Sequence, residues 1–290
     1  MTIATSIVRL QGDGVTLVAD TWTPTESCAR GAVLLLHGAG QTRHSWQRTG
    51  KSLAENGWCA MAIDARGHGD SEWAEDGDYT VDAHARDLVA VIATLDAPPI
   101  LVGASMGGMA ALIALGDNAG LGRALVLVDS TPRTEPDGIA KIADFMTSGL
   151  AGFETLDDVA AAVVSYSPAR RRPPRLEGLR KNVRHRDGRW YWHWDPRLIG
   201  HREALLDQAA AMEARARTAA EAVTVPTLHI RGAQSDVISP DGARELLELI
   251  PGARHIDVTG AGHMISGDDN DVLSEGLIDF LDEAVPQRCP

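Results

Sequence analysis

Cysteine, basic charge and long apolar runs are all scarce in this chain, and each scarcity narrows what it can be. The three cysteines, Cys28, Cys59 and Cys289, are odd in number. Their spacing fits neither a zinc site nor a CxxC redox pair, so neither chemistry is expected. Cys59 stands in the apolar run Trp58–Ile63 and reads as core. No apolar stretch approaches the ~20 residues that a membrane span needs. A basic segment followed by an apolar one is missing at the N-terminus, so no secretory signal is expected, and a reducing cytoplasm is the expected location. Acidic residues outnumber basic ones, 40 against 27, for a formal net charge of -13. That balance argues against nucleic acid and anionic membrane as the main partners, and it identifies no substrate. No internal repeat or low-complexity tract is present.

What is there looks like one large domain with an insertion. The 290 residues are 44% apolar and 23% charged, an ordinary globular composition long enough to bury a sizeable core. Residues 5–22 read as a β-hairpin around the turn signal Asp13-Gly14. After it, short apolar runs recur, each followed by Gly-rich or polar punctuation and a helical stretch. They lie at 33–36, 60–63, 100–102, 124–128, 227–230 and 255–258. Continuous apolar runs suit strands buried on both faces, and their alternation with helices predicts a doubly wound, mostly parallel α/β domain. The last segment is predicted as a helix, with Leu273, Leu277, Phe280, Leu281 and Ala284 on one face.

Residues 131–215 break this rhythm. They hold no comparable buried strand, but an arginine cluster (Arg170, Arg171, Arg172, Arg175), a Pro173-Pro174 break and the aromatic run Trp190-Tyr191-Trp192-His193-Trp194. We read them as a helical lid inserted into a core domain made of residues 1–130 and 216–290. The aromatic run reads as lid packing as readily as pocket lining.

The chemistry concentrates at Gly103-Ala104-Ser105-Met106-Gly107, a G-x-S-x-G motif between an apolar strand and an Ala-rich helical stretch. In that context the serine stands on a sharp turn that tolerates only small neighbours, and the helix N-terminus behind it faces developing negative charge. A nucleophilic serine needs a base and an orienting carboxylate, here expected in the chain order Ser, acid, His. Among ten histidines, His263 ends the strand exit Val258–His263 before the last helix and is the candidate base. His229 and His255 lie within strand runs, while His185, His193 and His201 belong to the insertion. Asp236, in the loop after the run at 227–230, is the candidate acid. Its rival is Asp129, at another strand exit, where a carboxylate before Ser130-Thr131-Pro132 would also serve as a helix cap. The oxyanion hole needs two backbone N–H donors. Met106 supplies one. His37-Gly38-Ala39-Gly40 supplies the other, through Ala39 or alternatively Gly40. In Gln41–Trp46, Arg43 or His44 reads as a substrate contact and Trp46 as pocket lining, or all three as helix start and packing.

Leu36-His37-Gly38, the stretch Asp64-Ala65-Arg66-Gly67-His68-Gly69-Asp70-Ser71 and the motif at 103–108 together resemble the α/β-hydrolase superfamily, along nearly the whole chain. Within it the sequence is similar to the capped serine esterases, lactonases and cofactor-free haloperoxidases, whose G-x-S-M-G-G matches Gly103–Gly108. The resemblance implies an eight-stranded sheet with an antiparallel first hairpin, a lid after the sixth strand, and the acid after the next strand, at Asp236. It implies hydrolysis of a carboxylic ester or lactone through an acyl-enzyme, with no metal or organic cofactor. The implied partner is a small-molecule ester or lactone, with homodimerisation left open. Serine in place of aspartate at position 105 disfavours epoxide or haloalkane chemistry. Ala104 and Met264, where carbon–carbon bond hydrolases often carry Asn and Trp, lower that reading. Perhydrolysis on the same triad and a non-enzymatic small-molecule receptor are the remaining alternatives.

Overall fold

A computed structural model describes residues 2–25, 30–166, 176–199, 202–263 and 270–285. Cys28, Cys289, the arginine cluster at 170–175, Pro173-Pro174, His201 and Met264 lie outside the described residues.

The chain opens with β1 (Ile3–Gln11) and β2 (Thr16–Pro24), paired antiparallel over their full length. The hairpin is where the sequence placed it. Its loop has four residues rather than two, closed by Gly12 N–H to the Val15 carbonyl at 2.8 Å, with Gly14 at φ 77°. Strands and helices then alternate: β3 (Ala32–Leu36), α1 (Gln47–Glu55), β4 (Cys59–Ile63), α2 (Val81–Ile92), β5 (Ile100–Ala104), α3 (Met106–Asp117) and β6 (Ala124–Val128). After an intervening segment come β9 (Thr227–Gly232), α8 (Pro240–Leu249), β10 (Arg254–Val258) and α9 (Asn270–Ala284). These strands form one eight-stranded sheet in the order β1-β2-β4-β3-β5-β6-β9-β10. Only β2 runs against the rest.

Alternation along each strand divides the core between the two faces. Val33, Leu35, Ile100 and Val102 pack with Leu53 of α1 and with Leu273, Leu277, Phe280 and Leu281 of α9. Leu34, Leu101 and Leu125 pack with Leu88 of α2, Leu112 of α3 and Leu246 of α8. At about 1.5–3 kcal/mol for each fully buried large aliphatic side chain, these two layers dominate the stability of the domain. From β3 the chain moves to β4 on one side and then crosses to β5 on the other. The loops leaving β3 and β5 therefore diverge and open a crevice at their carboxyl ends, where sheets of this kind bind ligands.

The segment between β6 and β9 holds α4 (Pro136–Thr147), α5 (Leu156–Tyr166), the short α6 (Leu176–Leu179), β7 (Val183–Arg186), β8 (Arg189–Trp192) and α7 (Arg202–Ala222). The sequence led to the expectation of a helical segment, but β7 and β8 form an antiparallel hairpin of their own within it. Asp187 and Gly188 make its two-residue turn with φ 50° and 76°, the positive pair a tight hairpin demands. Met146, Val159, Leu179, Val183, Trp192 and Trp194 form a third apolar cluster. The residues after the hairpin are tied to the loop that follows β4. Asp195 N–H donates to the Gly67 carbonyl at 2.9 Å, and its carboxylate accepts from Tyr79 Oη at 2.5 Å. Farther on, Ala216, Ala219 and Ala220 of α7 join the sheet-domain core.

Candidate active site

Ser105 occupies the junction of β5 and α3 with φ 47° and ψ -116°, a strained backbone for a residue with a Cβ. Its neighbours are glycines for steric reasons. A Cβ on Gly103 would lie 2.4 Å from the Gly107 carbonyl oxygen, and one on Gly107 2.6 Å from that of Leu36. The turn projects the Ser105 hydroxyl toward His263, whose Nε2 lies 3.1 Å from Oγ. The other ring nitrogen, Nδ1, lies 2.6 Å from Oδ2 of Asp129. A carboxylate only accepts, so Nδ1 carries the proton and Nε2 is free to accept from the serine.

The aspartate beside His263 is thus Asp129, and the sequence expectation of Asp236 is corrected. Asp129 follows β6 directly at φ 46°, is 1% exposed, and accepts from Gly232 N–H at 2.9 Å and from Ser235 Oγ at 2.5 Å. In the loop after β9 it is Ser235 that turns inward, its Oγ also accepting from Val237 and Ile238 N–H. The next side chain is consequently directed outward. Asp236 is half-exposed and pairs with Lys141 at 2.6 Å. The capping role considered for Asp129 is absent, since Glu135 is the residue before α4.

The loop after β3 lies against the serine, with a Cβ on Gly38 falling 3.3 Å from that of Ser105. Gly38 N–H donates to Gln41 Oε1 at 3.0 Å, and Gly40 N–H to His68 Nε2 at 3.2 Å. Gly40, the alternative oxyanion donor, is therefore already engaged. Among the described residues no group accepts from the N–H of Ala39 or of Met106.

The remaining motif residues support this loop. Arg43 is buried and ion-paired with Asp20, Asp64 and Asp70, and Trp46 is fully buried in the core, so packing and not substrate contact accounts for both. Arg66 grips Asp87 with two bonds of 2.7 Å. His37, His68 and His193 are buried, and burial pushes the pKa of each ring below the usual value. His193, in the residues after β8, accepts from Gly69 N–H through Nδ1 at 2.8 Å, a contact no sequence signal announced. The cavity lined by Leu36, Ile63, Leu88, Met106 and Ala110 lies between the sheet and α2 and α3, and includes none of Ser105, Asp129 and His263. No group of three or more side chains suited to a metal ion occurs among the described residues, and no helix among them is long and apolar enough to cross a membrane.

The chain is a hydrolase of the α/β class: residues 31–269 match the α/β hydrolase fold family, to which this chain belongs. It is 28% identical over 260 residues to the esterase Rv0045c of Mycobacterium tuberculosis, covering 86% of this chain and 82% of that one. With the 3-hydroxybutyrate-oligomer hydrolase of Cupriavidus necator it shares 29% identity over 238 residues, 78% of this chain and 80% of the relative. The crystal structure of E-2-(acetamidomethylene)succinate hydrolase superposes with a TM-score of 0.81 at 22% identity, over 96% of this chain and 100% of that one. At that identity the likeness speaks for the fold alone.

Proposed function

We propose that this hydrolase cleaves a carboxylic ester or lactone of a small molecule through an acyl-enzyme on Ser105. The observation that carries the reading is the continuous hydrogen-bonded line from Ser105 Oγ through His263 to Asp129. His263 takes the hydroxyl proton as Oγ attacks the carbonyl carbon. Asp129 keeps the ring in the tautomer that can accept and stabilises the imidazolium that results. The N–H groups of Met106 and Ala39 receive the negative charge on the carbonyl oxygen, an arrangement usually worth about 10²–10³ in rate per donor. The protonated His263 then returns its proton to the leaving alcohol. Water, deprotonated by the same ring, attacks the acyl-enzyme, and the acid leaves with Ser105 restored.

Residues 131–215 serve in this reading as the lid that sets substrate choice. Supporting it, a Cβ on Gly40 would meet the Trp194 ring at 3.5 Å, so the aromatic cluster reaches the oxyanion loop. The esterase and oligomer-hydrolase relatives point to the same bond class. Turnover of p-nitrophenyl acetate, compared with that of a lactone and a vinylogous diketone, tests the assignment. Ester or lactone cleavage abolished by Ser105→Ala is expected. Cleavage of the diketone alone would replace the ester reading with carbon–carbon bond hydrolysis.

A further inference from the structure

Of two buried histidines outside the Ser105–His263–Asp129 line, His68 bonds to the loop that carries Ala39 and His193 to the neighbouring loop after β4, and their bonding is directional. His68 lies in the loop after β4 and is 0% exposed. Its Nδ1 is 3.1 Å from the Arg66 carbonyl, which can only accept, so the proton sits there and Nε2 is the acceptor for Gly40 N–H. One residue on, Gly69 N–H donates to His193, which reaches down from the residues after β8. The two rings stand 5.8 Å apart. From the same stretch the Trp194 ring closes on Gly40, where an added Cβ would meet it at 3.5 Å. The peptide after Ala39 is thus clamped between the sheet domain and the β7–β8 hairpin.

We propose that His68 and His193 are positioning residues of the oxyanion hole. His68 fixes the Gly40 amide so that the adjoining Ala39 N–H is the one left to face the reacting carbonyl oxygen, and His193 makes that placement depend on the docked hairpin. The proposal rests on the serine-hydrolase reading and adds to it a coupling between hairpin and hole. Because Gly40 N–H has a fixed acceptor, it neither competes as a donor nor lets the loop rotate. Released from His68, the loop holds Ala39 N–H less well where the oxygen becomes charged. The ground-state carbonyl depends on it less, so kcat falls and KM does not.

The experiment compares His68→Leu, His68→Gln and His193→Leu with wild type. It measures kcat and KM for p-nitrophenyl acetate per active site titrated with a fluorophosphonate, and inhibition by a trifluoromethyl ketone, which mimics the tetrahedral adduct. His68→Leu is expected to lose about 10² in kcat, the order of one oxyanion donor, with KM within about twofold. Its affinity for the ketone should fall by the same factor. His68→Gln, which keeps an acceptor, should recover most of the loss, and His193→Leu should show the same pattern more weakly. Wild-type kcat per titrated site and wild-type ketone affinity in His68→Leu, with only the melting temperature lowered, would overturn the proposal. If His68→Leu does not fold, unchanged kcat and ketone affinity in folded His193→Leu overturns it instead. Wild-type protein that neither turns over the ester nor takes the fluorophosphonate would overturn the hydrolase reading itself, an outcome distinct from active wild type with indifferent variants.

Discussion

Replacing Asp129 by Asn should abolish turnover without unfolding the protein, and the structure says why. Asn is close to isosteric and, like Asp, tolerates the positive φ of 46° at this position. Its side-chain oxygen can still accept from Gly232 N–H, now at 2.9 Å from Oδ1. The amide nitrogen then faces the Ser235 hydroxyl, which loses its acceptor and already accepts from Val237 and Ile238 N–H, and His263 Nδ1, which must give up its proton to accept. The proton moves to Nε2, and the ring can no longer take one from Ser105. In a serine protease the equivalent tautomer change costs about 10⁴ in kcat with the geometry intact, and a loss of that order is expected here. Asp236→Asn removes only a half-exposed pair with Lys141, worth about 0–1 kcal/mol, and should leave kcat within twofold. Steady-state kinetics on p-nitrophenyl acetate, with far-UV circular dichroism and Tm for each variant, makes the comparison. Loss of turnover in folded Asp236→Asn, with Asp129→Asn active, would refute the assignment.

Other consequences are as direct. His84 and His229 have pKa values lowered to about 3 by burial, well below the 6.5 of an unfolded chain. Their stability contribution is therefore fully present above pH 6.5 and falls as pH drops, by about 1.4 kcal/mol per pH unit for each ring. The rings of His37, His68 and His193, also pushed down by burial, add to it, so urea unfolding between pH 7.5 and 5 should show at least this slope, and a flat profile would contradict the burial argument. Asp87→Ala leaves Arg66 buried without its partner and should cost about 3–5 kcal/mol in the same assay, whereas a loss under 1 kcal/mol would show that the pair can be dispensed with. Gly103→Ala drives a methyl to 2.4 Å from the Gly107 carbonyl oxygen, so folded protein with wild-type kcat would contradict the account of the turn.

The sheet was legible because its strands are continuous apolar runs, and all six runs found in the sequence lie in strands. That Ser105 and His263 meet was legible from local context, a motif between strand and helix and a strand exit before the last helix. The acid was not. Its identity depends on which of two strand-exit loops turns inward, and that is decided by Ser235 taking the position beside Asp129, a tertiary fact with no local signature. The β7–β8 hairpin was missed for another reason. Asp187-Gly188 carries the same turn signal as Asp13-Gly14, but the flanking residues alternate arginine, histidine and aromatics in place of aliphatic strand formers. His193 could not be found at all, because its partner Gly69 lies in a loop more than a hundred residues away.

The central claim, that Ser105 is the activated nucleophile, is tested most directly by covalent labelling. Native protein is incubated with a fluorophosphonate, digested, and its peptides are read by mass spectrometry. One adduct per chain is predicted, on the peptide containing Gly103–Gly108, with loss of ester turnover in step with labelling and no adduct in Ser105→Ala. An adduct on another serine, or esterase-active protein that takes no label at Ser105, would contradict the account.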